Sequence, residues 1–127
     1  MSNKLQETIR IEVRRTCNLL HMNRDDIFEV CELSYFMSNC VVPCTSYRDP
    51  AKFIPAVIFI WLRYHNYLIE WEEIVQYTSL TKKQFKNYLM AFYEVFPFEG
   101  IKDEVIEFYM EYVSRACDMI NKMRQFT

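Results

Sequence analysis

Residues 49–96 read DPAKFIPAVIFIWLRYHNYLIEWEEIVQYTSLTKKQFKNYLMAFYEVF. Asp49 followed by Pro50 is a helix start, with a capping acid before a proline at the first helical position. From Phe53 to Leu62 the run is apolar on nearly every side, and a helix of that kind is buried in a larger core. Pro55 sits one turn inside, where it removes a backbone bond and should bend the helix or delay its regular start. Phe59, Ile60, Trp61 and Leu62 cannot all face one neighbour, so several helices are expected around residues 57–64. His65 and Asn66 mark the end of this third helix.

The text that follows predicts a short fourth helix over 70–78, in which Trp71, Ile74, Val75 and Tyr77 pack while Glu72, Glu73 and Gln76 face out. A turn at Ser79-Leu80 leads into a fifth helix over 82–96. Thr81 is its cap, and Gln84 three residues later completes a capping box. Phe85, Leu89, Phe92 and Phe96 recur at spacings of four, three and four and form its buried stripe. Lys82, Lys83, Lys86 and Asn87 lie on the other side, near the N-terminus, where a recognition helix meets a groove and the helix dipole favours phosphate.

Upstream, Leu5, Ile9, Val13, Cys17 and Leu20 predict a first helix over 5–20. Asn23 caps a second, with Asp25 and Asp26 in its first turn and Ile27, Val30, Ser34 and Met37 on its apolar edge, widened by Leu33, Phe36 and Cys40. Residues 41–48, with Pro43, Thr45 and Ser46, read as a loop. Downstream, Pro97 ends helix five. A sixth helix is expected over 102–124, its inner face formed by Val105, Tyr109, Val113, Ala116 and Ile120. The expected architecture is all-α: one domain over 1–127, with a five-helix bundle over 5–96 around a buried third helix, plus a C-terminal helix.

Composition agrees. The chain has 127 residues, 51% of them hydrophobic, which is enough for one real core and too rich for disorder. It has a single glycine, Gly100, whereas hairpin-rich β folds need many. The N-terminal text is polar, without the apolar stretch of a signal peptide, and the longest apolar run is about half a membrane span. A soluble intracellular protein is expected, with no membrane partner. Five cysteines, Cys17, Cys31, Cys40, Cys44 and Cys117, suit small buried side chains in a reducing compartment. The alternative is zinc held by Cys40 and Cys44 with Cys17 and His21, but no second tight pair supports it. No cofactor or metal is expected.

The net charge of −2 argues against a global attraction to DNA. It is unevenly spread, however. Residues 1–24 hold Lys4, Arg10, Arg14, Arg15 and Arg24 against Glu7 and Glu12. Residues 81–87 hold three lysines and no acid, and residues 99–111 are acidic. The arginines of the first helix are most simply a solvated face, with phosphate contact as the alternative. The chain contains no phosphate loop, nucleophile elbow or paired metal histidines, and Glu72-Glu73 and Asp25-Asp26 point different ways on their helices. His65 has no serine, cysteine or carboxylate placed by sequence to work with it. A non-enzymatic protein without a small-molecule substrate is expected.

The pattern resembles the cyclin box of the transcription factor IIB type. The residues that carry the likeness are the run from Ala51 to Leu62 and the segment Glu70-Trp71-Glu72-Glu73-Ile74-Val75-Gln76-Tyr77-Thr78-Ser79-Leu80-Thr81-Lys82, where Ser79 stands for the family glycine. Leu80-Thr81-Lys82-Lys83-Gln84-Phe85 and Gly100-Ile101-Lys102-Asp103 bring it nearest to the N-terminal cyclin box of origin recognition complex subunit 6. That resemblance implies a nuclear subunit of a replication-initiation complex, with other subunits as partners. It also implies weak, salt-dependent contact with double-stranded DNA through a helix-turn-helix over 78–87. By position, Thr78 and Lys82 would meet phosphate; by charge and spacing, Lys83, Lys86 and Asn87 would extend the contact. The family carries a second cyclin box, of which the pattern here reaches only the opening helix. A cyclin-like or factor IIB-like protein-interaction module, in transcription or kinase regulation, is the alternative.

Overall fold

The computed structural model describes residues 3–40 and 49–125. Among these it has no strand and six α-helices: α1 (Asn3–Leu19), α2 (Arg24–Cys40), α3 (Pro50–Tyr64), α4 (Trp71–Val75), α5 (Lys82–Val95) and α6 (Lys102–Arg124). A 3-10 turn, Glu99–Ile101, links the last two helices. The loop expected over 41–48, and Cys44 with it, lies outside the described residues.

Local chemistry explains the helix starts. The Asp49 carboxylate accepts from the Ala51 amide at 3.2 Å, and Pro50 follows at the first helical position. The delayed start suggested by Pro55 does not occur. α3 begins at Pro50 and runs through Pro55, because the missing N–H strands only the carbonyl of Ala51, one turn from the helix start. The Asn23 side chain accepts from the Asp26 amide at 2.8 Å and opens α2. At α5 both arms of the capping box form: the Gln84 amide donates to Thr81 Oγ1 at 3.1 Å, and the Thr81 amide donates to Gln84 Oε1 at 3.0 Å.

α3 is the axis of the molecule. α1, α2, α4, α5 and the 3-10 turn all pack against it, while α6 packs on α5. Val57, Ile58 and Phe59 have no accessible surface, and Trp61 and Leu62 have almost none. The ring around them is built from the apolar faces read in the sequence: Ile9, Val13 and Cys17 on α1, Val30 and Met37 on α2, and Phe85, Leu89 and Phe92 on α5. Phe59 meets Phe85 edge to face at 5.8 Å, and Phe53 meets Phe92 likewise at 6.4 Å, arrangements that aromatic quadrupoles favour. The enclosure is shorter than expected. It ends at Leu62, and Tyr64 is largely exposed.

Three further expectations are corrected. α4 is only five residues long, and residues beyond Val75 turn back at once, with the Thr78 hydroxyl donating to the Val75 carbonyl at 2.8 Å. Cys17 and Cys31 are buried as expected, but Cys117 is exposed. The inner face expected on α6 is mostly not inner. Val105 is buried, yet Tyr109, Val113 and Ile120 remain about half exposed, and Ala116 is exposed too. Two causes explain this: α6 rests on the bundle by Val105 and Phe108, which turns Tyr109 and Val113 outward alongside α5, and its later part, with Ala116 and Ile120, outruns α5. α5 has 14 residues and α6 has 23, about 21 and 35 Å at the α-helical rise, so α6 runs on past the end of its antiparallel neighbour.

Truncating Phe59 to alanine should cost about 3–5 kcal/mol, since no side of that site can relax into solvent; urea unfolding of the variant beside the wild type measures it. Burial, with smaller contributions from Cys31 and Asp26, pushes the Cys17 thiol up to about 12 from the ordinary 9.0. The folded state therefore holds the neutral thiol. Stability from this site is complete below pH 9.0 and is lost as pH rises towards 12, where only the unfolded chain ionises readily. Alkylation followed by peptide mapping should accordingly modify Cys117 in the folded protein and Cys17 only after unfolding.

Candidate nucleic-acid interface

The corner formed by α4, its turn and the start of α5 carries Thr78, Lys82, Lys83, Lys86 and Asn87. Their surroundings divide them. Lys82 and Lys83 are exposed, in the first turn of α5 directly after the Thr81 cap. No hydrogen bond or ion pair holds either side chain among the described residues. First-turn amides have no partner in a helical ladder, and the capping box reaches only the amide of Gln84. The amides of Lys82 and Lys83 therefore stand with their two ammonium groups at the positive end of the helix dipole.

Lys86 is different, although it follows Lys82 by one helical turn. Its side chain is only 17% exposed. Its Nζ lies 2.6 Å from Glu111 Oε2 on α6, 5.1 Å from the centre of the Phe108 ring and 5.6 Å from that of Trp71. Trp71 in turn stacks on Phe85 at 5.4 Å and meets Phe108 edge to face at 5.7 Å. Lys86 thus joins α4, α5 and α6 through charge and aromatic faces. Asn87 Oδ1 accepts from the Tyr112 hydroxyl at 2.5 Å, another tie to α6. Thr78 is half-buried; its hydroxyl donates to Val75 and accepts from the Leu80 amide at 3.2 Å, closing the turn. Of the five side chains, the structure engages three internally and leaves the two leading lysines facing solvent.

The sequence reading passed over Arg63. It is the single basic residue within the apolar second half of α3, and its guanidinium is the hub of that helix end. It donates to the Ile69 carbonyl at 3.1 and 3.3 Å and to the Gly100 carbonyl at 3.4 Å, and it forms an ion pair with Glu104 of α6. Its carbon centre lies 4.6 Å from the centre of the Phe59 ring. A lone arginine in so apolar a stretch was itself the signal, because a charge held there needs a buried partner. Gly100 has a packing role beside it: a methyl group there would come within 2.5 Å of the Phe98 ring.

A second basic feature spans two helices. Arg10, Arg14 and Asn18 on α1 face Arg24, Phe28, Cys31 and Tyr35 on α2 across a cleft of about 730 Å³, in which Glu32 is the only acid among the described residues. The spacing of Arg10 and Arg14 was legible; the arrival of Arg24 from the next helix was not. On the metal alternative, Cys17 is sealed in the core, and among the described residues no group of three or more His, Cys, Asp or Glu side chains is placed to hold an ion. Among the same residues, no helix is long and apolar enough to cross a membrane.

No family model, curated protein or solved structure matches the chain.

The two classes of lysine should separate in stability measurements. Lys86→Ala should cost about 1–3 kcal/mol by leaving Glu111 and two aromatic faces without their cation, while Lys82→Ala and Lys83→Ala should stay within about 0.5 kcal/mol. Arg63→Leu, which strands Glu104, should cost about 3–5 kcal/mol, and Glu104→Gln in the same chain should recover part of that. Thermal or urea melts of the five variants decide both points.

Proposed function

We propose that this chain is a non-enzymatic binding subunit of a replication-initiation assembly, built on a cyclin-box-like core in the manner of origin recognition complex subunit 6, and that it touches DNA phosphates weakly. What supports the core reading is the enclosure of α3 by α1, α2, α4 and α5, with a short α4, a tight turn and α5 in the order the resemblance implies. The observation that carries the DNA reading is the pair Lys82 and Lys83, exposed at the start of α5 beside two amides outside the helical ladder.

Contacts of this kind position a duplex without reading bases. Thr78 shapes the turn, and Lys86 and Asn87 fasten α5 to α6, so the contact surface narrows to the two leading lysines and their amides. Arg10, Arg14 and Arg24 form a second cationic surface on α1 and α2 that can meet phosphate in the same sequence-independent way. With a net charge of −2, affinity must come from these local clusters and fall steeply with salt.

One observation favours the protein-interaction reading. Leu33, Phe36, Trp61, Tyr64, Phe96 and Phe98 line an open apolar cleft of about 290 Å³ between α2, the end of α3 and the end of α5. Phe36 and Phe96 meet there at 5.3 Å while Phe36 stays half exposed. An exposed apolar cleft suits an apolar side chain from a partner protein.

A salt series of duplex-DNA binding, with wild type beside Lys82→Glu/Lys83→Glu, tests the proposal. The expected result is weak binding whose salt slope falls by about 2 in the variant, as two lost phosphate contacts require. Negligible affinity for both proteins would remove the DNA role and leave the protein-interaction reading, while equal, measurable affinity would overturn the lysine contact and move binding to the arginine cleft.

A further inference from the structure

α6 presents a helix face patterned for burial that the described residues leave about half exposed. Ile106, Tyr109, Val113, Ala116, Ile120 and Met123 recur at alternating steps of three and four, the heptad spacing of a coiled-coil seam. Ile106, Val113 and Ile120 occupy the a positions and are β-branched; Tyr109, Ala116 and Met123 occupy the d positions. Apart from Ala116, which is also exposed, these side chains range from 41% to 68% exposed. Met110 and Met119 flank the seam and are exposed as well. Scattered exposed apolar residues are ordinary, but a continuous stripe along a helix marks a contact surface.

Ion pairing shows which way α6 lies. Lys86 meets Glu111, and farther along α5 Glu94 accepts from the Tyr109 hydroxyl at 3.1 Å, so α5 and α6 run antiparallel. The part of α6 beyond about residue 116 therefore projects past the start of α5, with no helix beside it among the described residues. Val105 and Phe108 hold the first part on the bundle by a different face, which leaves the seam open along its length.

We infer that the occupant of this seam is a second copy of the same chain, its α6 laid antiparallel to the first. Charge selects the partner and its direction. From residue 103 to 111 the helix carries Asp103, Glu104, Glu107 and Glu111 and no base; Glu104 and Glu111 are taken up by Arg63 and Lys86 of the same chain, which leaves Asp103 and Glu107 to meet a partner, and from 112 to 124 the helix carries Arg115, Lys122 and Arg124 against Asp118. A helix acidic in one half and basic in the other is complementary to itself when reversed, and self-repelling when parallel. Helix dipoles favour the same direction. The seam is also self-complementary in register. With Val113 opposite Ala116 of the second copy, Tyr109 falls opposite Ile120 and Ile106 opposite Met123, so each a position meets a d position. Ala116 beside the two-fold axis lets the helices approach closely there. This interface is independent of the DNA reading, since none of its residues belongs to the lysine corner.

Sedimentation equilibrium on the whole chain, with wild type beside Val113→Glu/Ile120→Glu, tests it. Both side chains are exposed in the single chain, so the variant should keep the wild-type circular dichroism melt when dilute. The expected result is a dimer mass for the wild type at micromolar concentration, with association at least about 100-fold weaker in the variant, the effect of some 2.8 kcal/mol. A wild-type monomer at the highest soluble concentration would overturn the proposal and assign the seam to a different protein; a variant that still dimerises would place the interface elsewhere. Direction is read by oxidative cross-linking with peptide mapping. Met110→Cys should join position 110 of one copy to Cys117 of the other. A Cys117-to-Cys117 link would contradict the antiparallel arrangement, in which those residues lie about five residues apart along the axes, some 7.5 Å before the distance between the helices is added, and so beyond disulfide reach.

Discussion

A helix apolar on every side can be stable in water only inside a complete ring of neighbours, and α3 imposes that condition on this chain. Phe53 through Phe59 present no face that tolerates solvent. Each of α1, α2 and α5 meets the condition with its one apolar stripe, and α4 with the 3-10 turn covers the remaining side. The ring dictates where everything else goes. α1 and α2 turn their polar sides outward and set three arginines around one cleft. α5 turns Phe85, Leu89 and Phe92 inward, which sends Lys83 to the surface, while Lys82, the first residue of the helix, is exposed at its end.

The ring also needs closing at the C-terminal end of α3, where the apolar run stops. Arg63 does this by holding the chain reversal at Ile69, the 3-10 turn at Gly100 and the first turn of α6 at Glu104 together. A cation with several fixed acceptors and an aromatic face can stay largely buried. Lys86 repeats the device at the far end of the same layer, with Glu111, Trp71 and Phe108. Two basic residues thus fasten α6 to the bundle. Its acidic first half follows from that task, because two of its carboxylates, Glu104 and Glu111, are the acceptors. The basic second half projects beyond α5.

Much of the fold was legible because it rests on local signals. Capping chemistry at Asn23, Asp49 and Thr81 placed three helix starts, and helical spacing marked the faces of α1 and α5 that pack. What the sequence could not show depends on pairing across distance. Lys86 looked like Lys82 because both lie on one side of α5; only the arrival of α6 on that side separates them. Arg63 looked like an interruption until Glu104, 41 positions later, supplied its partner. On α6 the pattern marked an inner face that the described residues leave about half exposed, because the helix rests on the bundle by Val105 and Phe108 and its later part outruns α5. The candidate DNA contact was legible in part for the same reason: its first two lysines follow from a cap and a dipole, while Thr78, Lys86 and Asn87 are committed by tertiary neighbours.

Native-state hydrogen exchange resolved by residue tests the central constraint most directly. If α3 is the enclosed axis, the amides of Val57 through Leu62 should exchange only through global unfolding, with opening free energies equal to the stability measured by denaturant. If those amides exchange through local opening, as readily as those of the exposed faces of α1 or α2, then α3 is not enclosed and the account of this molecule is wrong.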